Sequence, residues 1–164
     1  NTVKLKQFSY KTISIFVAAL FAANLHAAPT ATAVKKEPVQ IKLEQFKVIV
    51  ENGKETLAPI QSVQPGEVIE YRATYKNVST GAVKNLVATI PVPKGTEYQA
   101  KTANPLATAE ASIDNVTFGV MPLIDSQKKQ PIPTKQYRAL RWKLQELAAD
   151  KSIVVSARMK VNQE

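Results

Sequence analysis

Apolar and polar residues alternate in short runs through most of this chain, with the period of two that belongs to a β-strand. Ile69, Tyr71, Ala73 and Tyr75 interleave with Glu70, Arg72, Thr74 and Lys76, which predicts a strand with one buried and one wet face. The pattern returns where Leu140, Trp142 and Leu144 flank Arg141 and Lys143. It returns again where Ile153, Val155, Ala157, Met159 and Val161 alternate with Val154, Ser156, Arg158 and Lys160. Turn residues punctuate these runs. Asn52-Gly53 signals a tight hairpin, and Pro65-Gly66, Ser79-Thr80-Gly81 and Pro93-Lys94-Gly95 signal further reversals. Gly66 and Gly95 stand where a tight turn asks for a positive φ. Strands are expected between these turns at 83–92 and 96–101, with weaker ones at 108–112 and 115–120. Pro122, Pro131 and Pro133 make 121–134 a loop. Seven or more short strands at near-regular spacing, without a helical period, predict an all-β fold of the antiparallel β-sandwich type.

One run breaks the rule. In 39–50, Ile41 and Leu43 fall on one face and Phe46, Val48 and Val50 on the other, with Val39 at the head. A strand apolar on both faces lies between layers, switches sheets midway, or pairs in part outside its own domain. The third option makes Val39, Ile41, Leu43, Phe46, Val48 and Val50 an assembly strand that adds to a neighbour's sheet edge, in head-to-tail contacts that extend into fibres. Residues 28–38 ahead of it are small, polar and basic, and read as a flexible N-terminal tail.

The N-terminus has a different character. Lys4, Lys6 and Lys11 precede an apolar run over 13–23 and a small-residue exit at Ala27-Ala28. Basic, apolar and small segments in that order make a secretory signal peptide, assigned to 1–27. The run is shorter than the about 20 apolar residues of a membrane-spanning helix, so no membrane span is expected after cleavage. The expected division is therefore a signal peptide at 1–27, a tail at 28–38 and a β-sandwich domain at 39–164. The protein is expected to be exported to the periplasm, the cell surface or the extracellular space.

Several segments together resemble a known family. Val63-Gln64-Pro65-Gly66-Glu67-Val68-Ile69-Glu70-Tyr71 leads to Tyr75-Lys76-Asn77. Val83-Lys84-Asn85-Leu86-Val87-Ala88-Thr89-Ile90-Pro91 follows, then Pro93-Lys94-Gly95-Thr96-Glu97-Tyr98, and Trp142-Lys143-Leu144 opens a closing motif. This succession is similar to the bacterial surface-repeat family known as domain of unknown function eleven, over roughly residues 40–162. An Asp that the family usually carries before its Pro-x-Gly turn is absent from Ala88-Thr89-Ile90-Pro91, and the chain holds one copy where the family tends to repeat. The resemblance implies an immunoglobulin-like sandwich in a cell-envelope or secreted protein, with a structural or adhesive role and no catalytic residue.

Composition narrows the chemistry. The chain has no Cys, and its single His, His26, lies in the expected leader. Without them the remainder lacks Ser-His-Asp and Cys-His nucleophile systems and the usual zinc ligands, and no disulfide supports the fold. Ser126 and Lys129 match a Ser-x-x-Lys spacing, but in a proline-rich loop rather than at a helix start. Glu67/Glu70 and Asp114/Asp125 are the available carboxylate pairs, with Glu70 expected on a wet face and Glu67 in a turn. No calcium-loop or phosphate-cradle pattern occurs, so no cofactor is expected and the protein is read as not an enzyme. Asn77-Val78-Ser79 and Asn115-Val116-Thr117 match the N-glycosylation acceptor pattern.

Charge offers the remaining site. Setting aside the three leader lysines leaves 19 basic against 13 acidic side chains. The densest basic run is Lys128, Lys129, Lys135, Arg138, Arg141 and Lys143, a candidate contact for a polyanionic glycan or anionic surface. Tyr71, Tyr75 and Trp142 sit on apolar faces rather than among these charges, and with export that argues against nucleic acid. Trp142, flanked by Leu140 and Leu144, is read as core. The partners expected first are proteins, either further copies or other envelope proteins.

Overall fold

A computed structural model describes residues 37–163. The expected signal peptide, and the tail up to Lys36, lie outside the described residues. Among the described residues nine strands form two antiparallel sheets, the layered arrangement predicted from the alternation. The strands are β1 (Val39–Glu51), β2 (Lys54–Pro59), β3 (Val68–Asn77), β4 (Val83–Pro91), β5 (Thr96–Tyr98), β6 (Ala109–Ser112), β7 (Gly119–Val120), β8 (Ala139–Leu147) and β9 (Ser152–Val161). One sheet has the order β2-β1-β3-β9-β5 and the other β4-β8-β6-β7. A 3-10 turn, Thr134–Gln136, precedes β8. Among the described residues, no helix is long and apolar enough to cross a membrane.

The core sits between the layers and is built from the alternating positions. Ile69, Tyr71, Ala73 and Tyr75 of β3 and Val155, Ala157 and Met159 of β9 face Ala88 and Ile90 of β4 and Leu140 and Trp142 of β8. Trp142 is buried, and its indole N–H donates to the Pro105 carbonyl at 2.8 Å. The strand register explains how so large a ring fits. Ala88 stands opposite Trp142 on one side and Ala109 on the other, so the indole occupies space that two alanines leave open.

The predicted turns form as expected. Asn52 and Gly53 have φ of 51° and 76° and close the β1–β2 hairpin on the rung Glu51–Lys54. Gly66 and Gly95 take φ of 87° and 79°. Asn77 ends β3 fully buried. Its amide donates to Gly81 O at 2.8 Å and Leu147 O at 2.9 Å, and its Oδ1 accepts from the Ser79 backbone at 2.9 Å and hydroxyl at 2.7 Å. This one side chain ties the end of β3 to the following turn and to the end of β8. Its burial also removes Asn77 from the list of modifiable asparagines.

Three expectations require correction. Glu70 does not face water: it is 7% exposed. Arg72 and Arg158 donate to it at 2.7 and 3.2 Å, and Glu55 of β2 reaches Arg158 at 2.9 Å across the two intervening strands. The hairpin thus screens the outer face that alternation marked as wet, and the Arg72 guanidinium lies 5.3 Å from the Phe46 ring. The strand expected at 115–120 shrinks to Gly119–Val120. Asp114 Oδ1 accepts from the amides of Val116 and Thr117 at 2.8 and 2.7 Å, and Asn115 turns left-handed at φ 63°, so a side chain competes successfully for backbone donors. The strand expected at 96–101 stops at Tyr98. Thr102 and Asn104 then bond back to β9, through Thr102 Oγ1 accepting from Arg158 N at 3.0 Å and Asn104 N donating to Ser156 O at 2.8 Å.

Candidate functional site

Each carboxylate of the two candidate pairs has partners of its own. Glu67 accepts from Lys47 Nζ at 2.9 Å and from the Gln64 amide at 2.9 Å, and Lys47 holds its carboxyl below the usual range. Asp125 accepts from the amides of Lys128 and Gln127, which lowers its carboxyl as well. Asp114 is held well below the usual carboxylate range by the Val116 and Thr117 amides and the Ser112 hydroxyl. Neither Glu67 with Glu70 nor Asp114 with Asp125 shares a hydrogen-bond partner, and each serves its own turn or ion pair. Among the described residues, no three His, Cys, Asp or Glu side chains gather as metal ligands.

These carboxylates set the acid response. A carboxyl whose folded pKa lies below its unfolded value contributes stability at neutral pH, and that contribution is lost as pH falls from about 4 toward the folded value. Unfolding midpoints are therefore expected to fall below about pH 4. In Asp114→Asn the decline across that window should be shallower, because one of the depressed groups no longer titrates. A variant profile parallel to wild type would show that Asp114 does not contribute.

The basic run separates into two groups. Arg141 donates to Glu110 at 2.6 Å and lies 4.0 Å over the Phe118 ring, while Lys143 lies 3.4 Å from the same carboxylate. Arg141 holds the Glu110 carboxyl below the usual range. These two cations are engaged within the outer face of the β8 sheet. Arg138 donates to the carbonyls of Lys135 and Tyr137 at 3.0 and 3.1 Å. Lys128, Lys129 and Lys135 are exposed, on the loop and 3-10 turn before β8.

A cleft of about 410 Å³ that alternation did not signal opens beside Tyr98 and Tyr137, with Leu106, Ala109, Met121 and Pro122 among its walls. The two rings stack at 5.8 Å. Their hydroxyls are already committed, accepting from the Ala103 and Leu123 amides at 3.2 and 2.9 Å. Burial pushes the Tyr98 phenol up, so it stays protonated at neutral pH. The walls come from segments far apart in sequence, with no shared period to betray them.

The strongest surface feature is the edge of β1. Val39–Lys47 pairs with β3, whereas β2 covers the opposite flank only from Phe46 to Glu51. Along Val39–Gln45 that flank has no strand beside it among the described residues. The Pro38 carbonyl accepts from Val78 N at 2.9 Å, so the even-numbered residues of β1 bond toward β3. Val39, Ile41, Leu43 and Gln45 therefore aim their N–H and C=O groups outward. Ile41 and Leu43 are 63% and 51% exposed although they share a face with the core residues Tyr75 and Ala73, which they oppose in register. Phe46 and Val48 are half-buried on the other face, and Val50 is exposed. The strand pairs within one sheet throughout and does not switch layers.

Other edges are blunted in recognised ways. β4 carries Asn85 at φ 54° and ends at Pro91, β7 has two residues, and β2 ends at Pro59. The flank of β9 is covered by β5 and then by Asn104. The first half of β1 has only the Lys42–Glu44 ion pair, 2.8 Å, to mark it as an edge. No family model, curated protein or solved structure matches this chain.

Proposed function

We propose that this protein is a non-enzymatic, exported module of the bacterial cell envelope or extracellular matrix, of immunoglobulin-like sandwich type, which assembles through β-strand addition. The observation that carries the reading is the free edge Val39–Gln45, where outward-facing backbone groups coincide with exposed Ile41 and Leu43. Unpaired strand edges of this kind recruit a further strand by main-chain hydrogen bonding, with alternate side chains setting the choice of partner. The leader-like N-terminus supports export. The likeness of the turn and strand segments to surface repeats supports an envelope role. Trp142, buried across the layers on a central strand, suits the immunoglobulin-like type.

The test compares the chain from Ala28 onward with a version lacking 28–39, by sedimentation and negative-stain microscopy. The longer chain is expected to associate as concentration rises, and the truncated one to remain monomeric. A longer chain that stays monomeric at high concentration would rule the reading out. Equal association of both would show that residues 28–39 are not the connector.

A further inference from the structure

The partner of the β1 edge follows from register. Its limits are set on both sides: the strand begins at Val39, and from Phe46 onward the flank belongs to β2, with Pro59 opposite Phe46. Consider a second copy laying the same edge alongside, antiparallel, so that outward-facing odd residues meet odd residues. Centred on Leu43, the pairing would place the copy's Gln40 opposite Phe46, where Pro59 already stands. Centred on Lys42, it would place Pro38 there and set the two Lys42 ammonium groups opposite each other, a destabilising pair. Centred on Ile41, the copy's Glu37 stands opposite Gln45, so none of its described residues reaches the position that Pro59 holds.

The Ile41-centred register also satisfies the side chains. Ile41 meets Ile41, and Val39 meets Leu43 on either side of it. The two most exposed apolar side chains of this edge thereby gain apolar cross-strand neighbours. On the other face Gln40 meets Lys42, whose ammonium can donate to the amide carbonyl, and no like charges stand directly opposite.

We propose that a second copy of this chain is the occupant of the edge: Val39–Leu43 pairs with itself about a two-fold axis at Ile41, joining the β1 sheets of two molecules into one. The proposal rests on the assembly reading and deepens it. A two-fold contact uses the same patch on both partners and closes at the dimer, whereas head-to-tail addition continues into a fibre.

Because the sequence has no cysteine, a single introduced thiol reports register directly. The Ile41 pair would be a hydrogen-bonded rung with Cα atoms about 5.5 Å apart, inside the span a disulfide bridges. The two Leu43 residues would be four positions out of step, about 13 Å along the strand, and beyond it. In the chain from Ala28 onward, Ile41→Cys is expected to oxidise to a covalent dimer at least 10-fold faster than Leu43→Cys, and Val39→Cys combined with Leu43→Cys should also cross-link. Wild type is expected to sediment as a dimer, and Ile41→Lys as a monomer that melts where wild type does once wild type is diluted below its dimerisation range.

Amide exchange on wild type gives a readout that needs no variant: Val39, Ile41 and Leu43 should be protected at high concentration and lose protection on dilution. Association in which Leu43→Cys cross-links to itself, or which extends beyond the dimer, would overturn this pairing while leaving assembly through the edge intact. A wild-type chain that stays monomeric, with these amides unprotected at every concentration, would overturn both.

Discussion

Trp142→Ala is expected to lose about 3–5 kcal/mol of unfolding free energy, the range for removing a buried large aromatic side chain. Two costs combine. The indole is 1% exposed between the layers, so its removal forfeits apolar burial and leaves a cavity that the surrounding strands cannot collapse to fill. The indole N–H also satisfies the Pro105 carbonyl, at 2.8 Å, which would be left without that donor. Denaturant unfolding followed by circular dichroism measures the change. A loss under about 1 kcal/mol would mean that Trp142 does not hold the sheets together, because surface substitutions fall in that range.

Asn77→Ala is expected to cost about 2–4 kcal/mol, although it removes little apolar surface. The substitution strands the buried Leu147 O, at about 1–3 kcal/mol for a buried polar group left unsatisfied, and removes the partner of the part-buried Gly81 O and Ser79 amide. Asn77→Asp separates the contributions. It keeps an acceptor for Ser79 but turns a charged oxygen toward two carbonyls, so it should fare no better than alanine. Ser79→Ala, whose hydroxyl has only part-buried and exposed contacts, should cost under about 1 kcal/mol. If Asn77→Asp proved as stable as wild type, the two carbonyl contacts would carry no weight.

Where residues of one strand face share a single fate, the fold was legible in the sequence. β3, β8 and β9 fall where alternation put them, and their apolar positions form the core. Asn52-Gly53 announced its hairpin because the turn's φ values favour those residues. Legibility failed where a contact distant in sequence decided the outcome. Glu70 alternates as a solvent-facing residue should, yet Glu55 and Arg158 lie 15 and 88 positions away, and neither is visible in the local period. Asp114 stands in the sequence as a carboxylate available to pair with Asp125, whereas its short side chain stays at home and bonds the next amides.

The candidate site divides in the same way. The sequence placed Ile41 and Leu43 on one face of β1 and Phe46, Val48 and Val50 on the other, as the register has them. It did not say that β2 would stop opposite Phe46, which is what leaves Val39–Gln45 open. Hairpin length is set by where Pro59 ends the pairing, and a strand's edge becomes a site only when its neighbour is shorter. The basic run was visible as composition, but its division between cations engaged by Glu110 and exposed lysines depends on Glu110 standing opposite Arg141 across β6 and β8.

The row formed by Ala88, Trp142 and Ala109 has a bearing on how this sequence can diverge. One ring and two methyl groups share a single volume, so the three positions are not free to vary independently. Enlarging either alanine while the indole remains would overpack the layer, and shrinking the indole alone would leave a void. Exchanged together, a smaller ring with larger flanking residues could conserve the total. Effects at these positions should be non-additive, as they are for residues in contact. A relative of this protein that lacks the tryptophan would then be recognised by bulk at both neighbouring positions rather than by any motif.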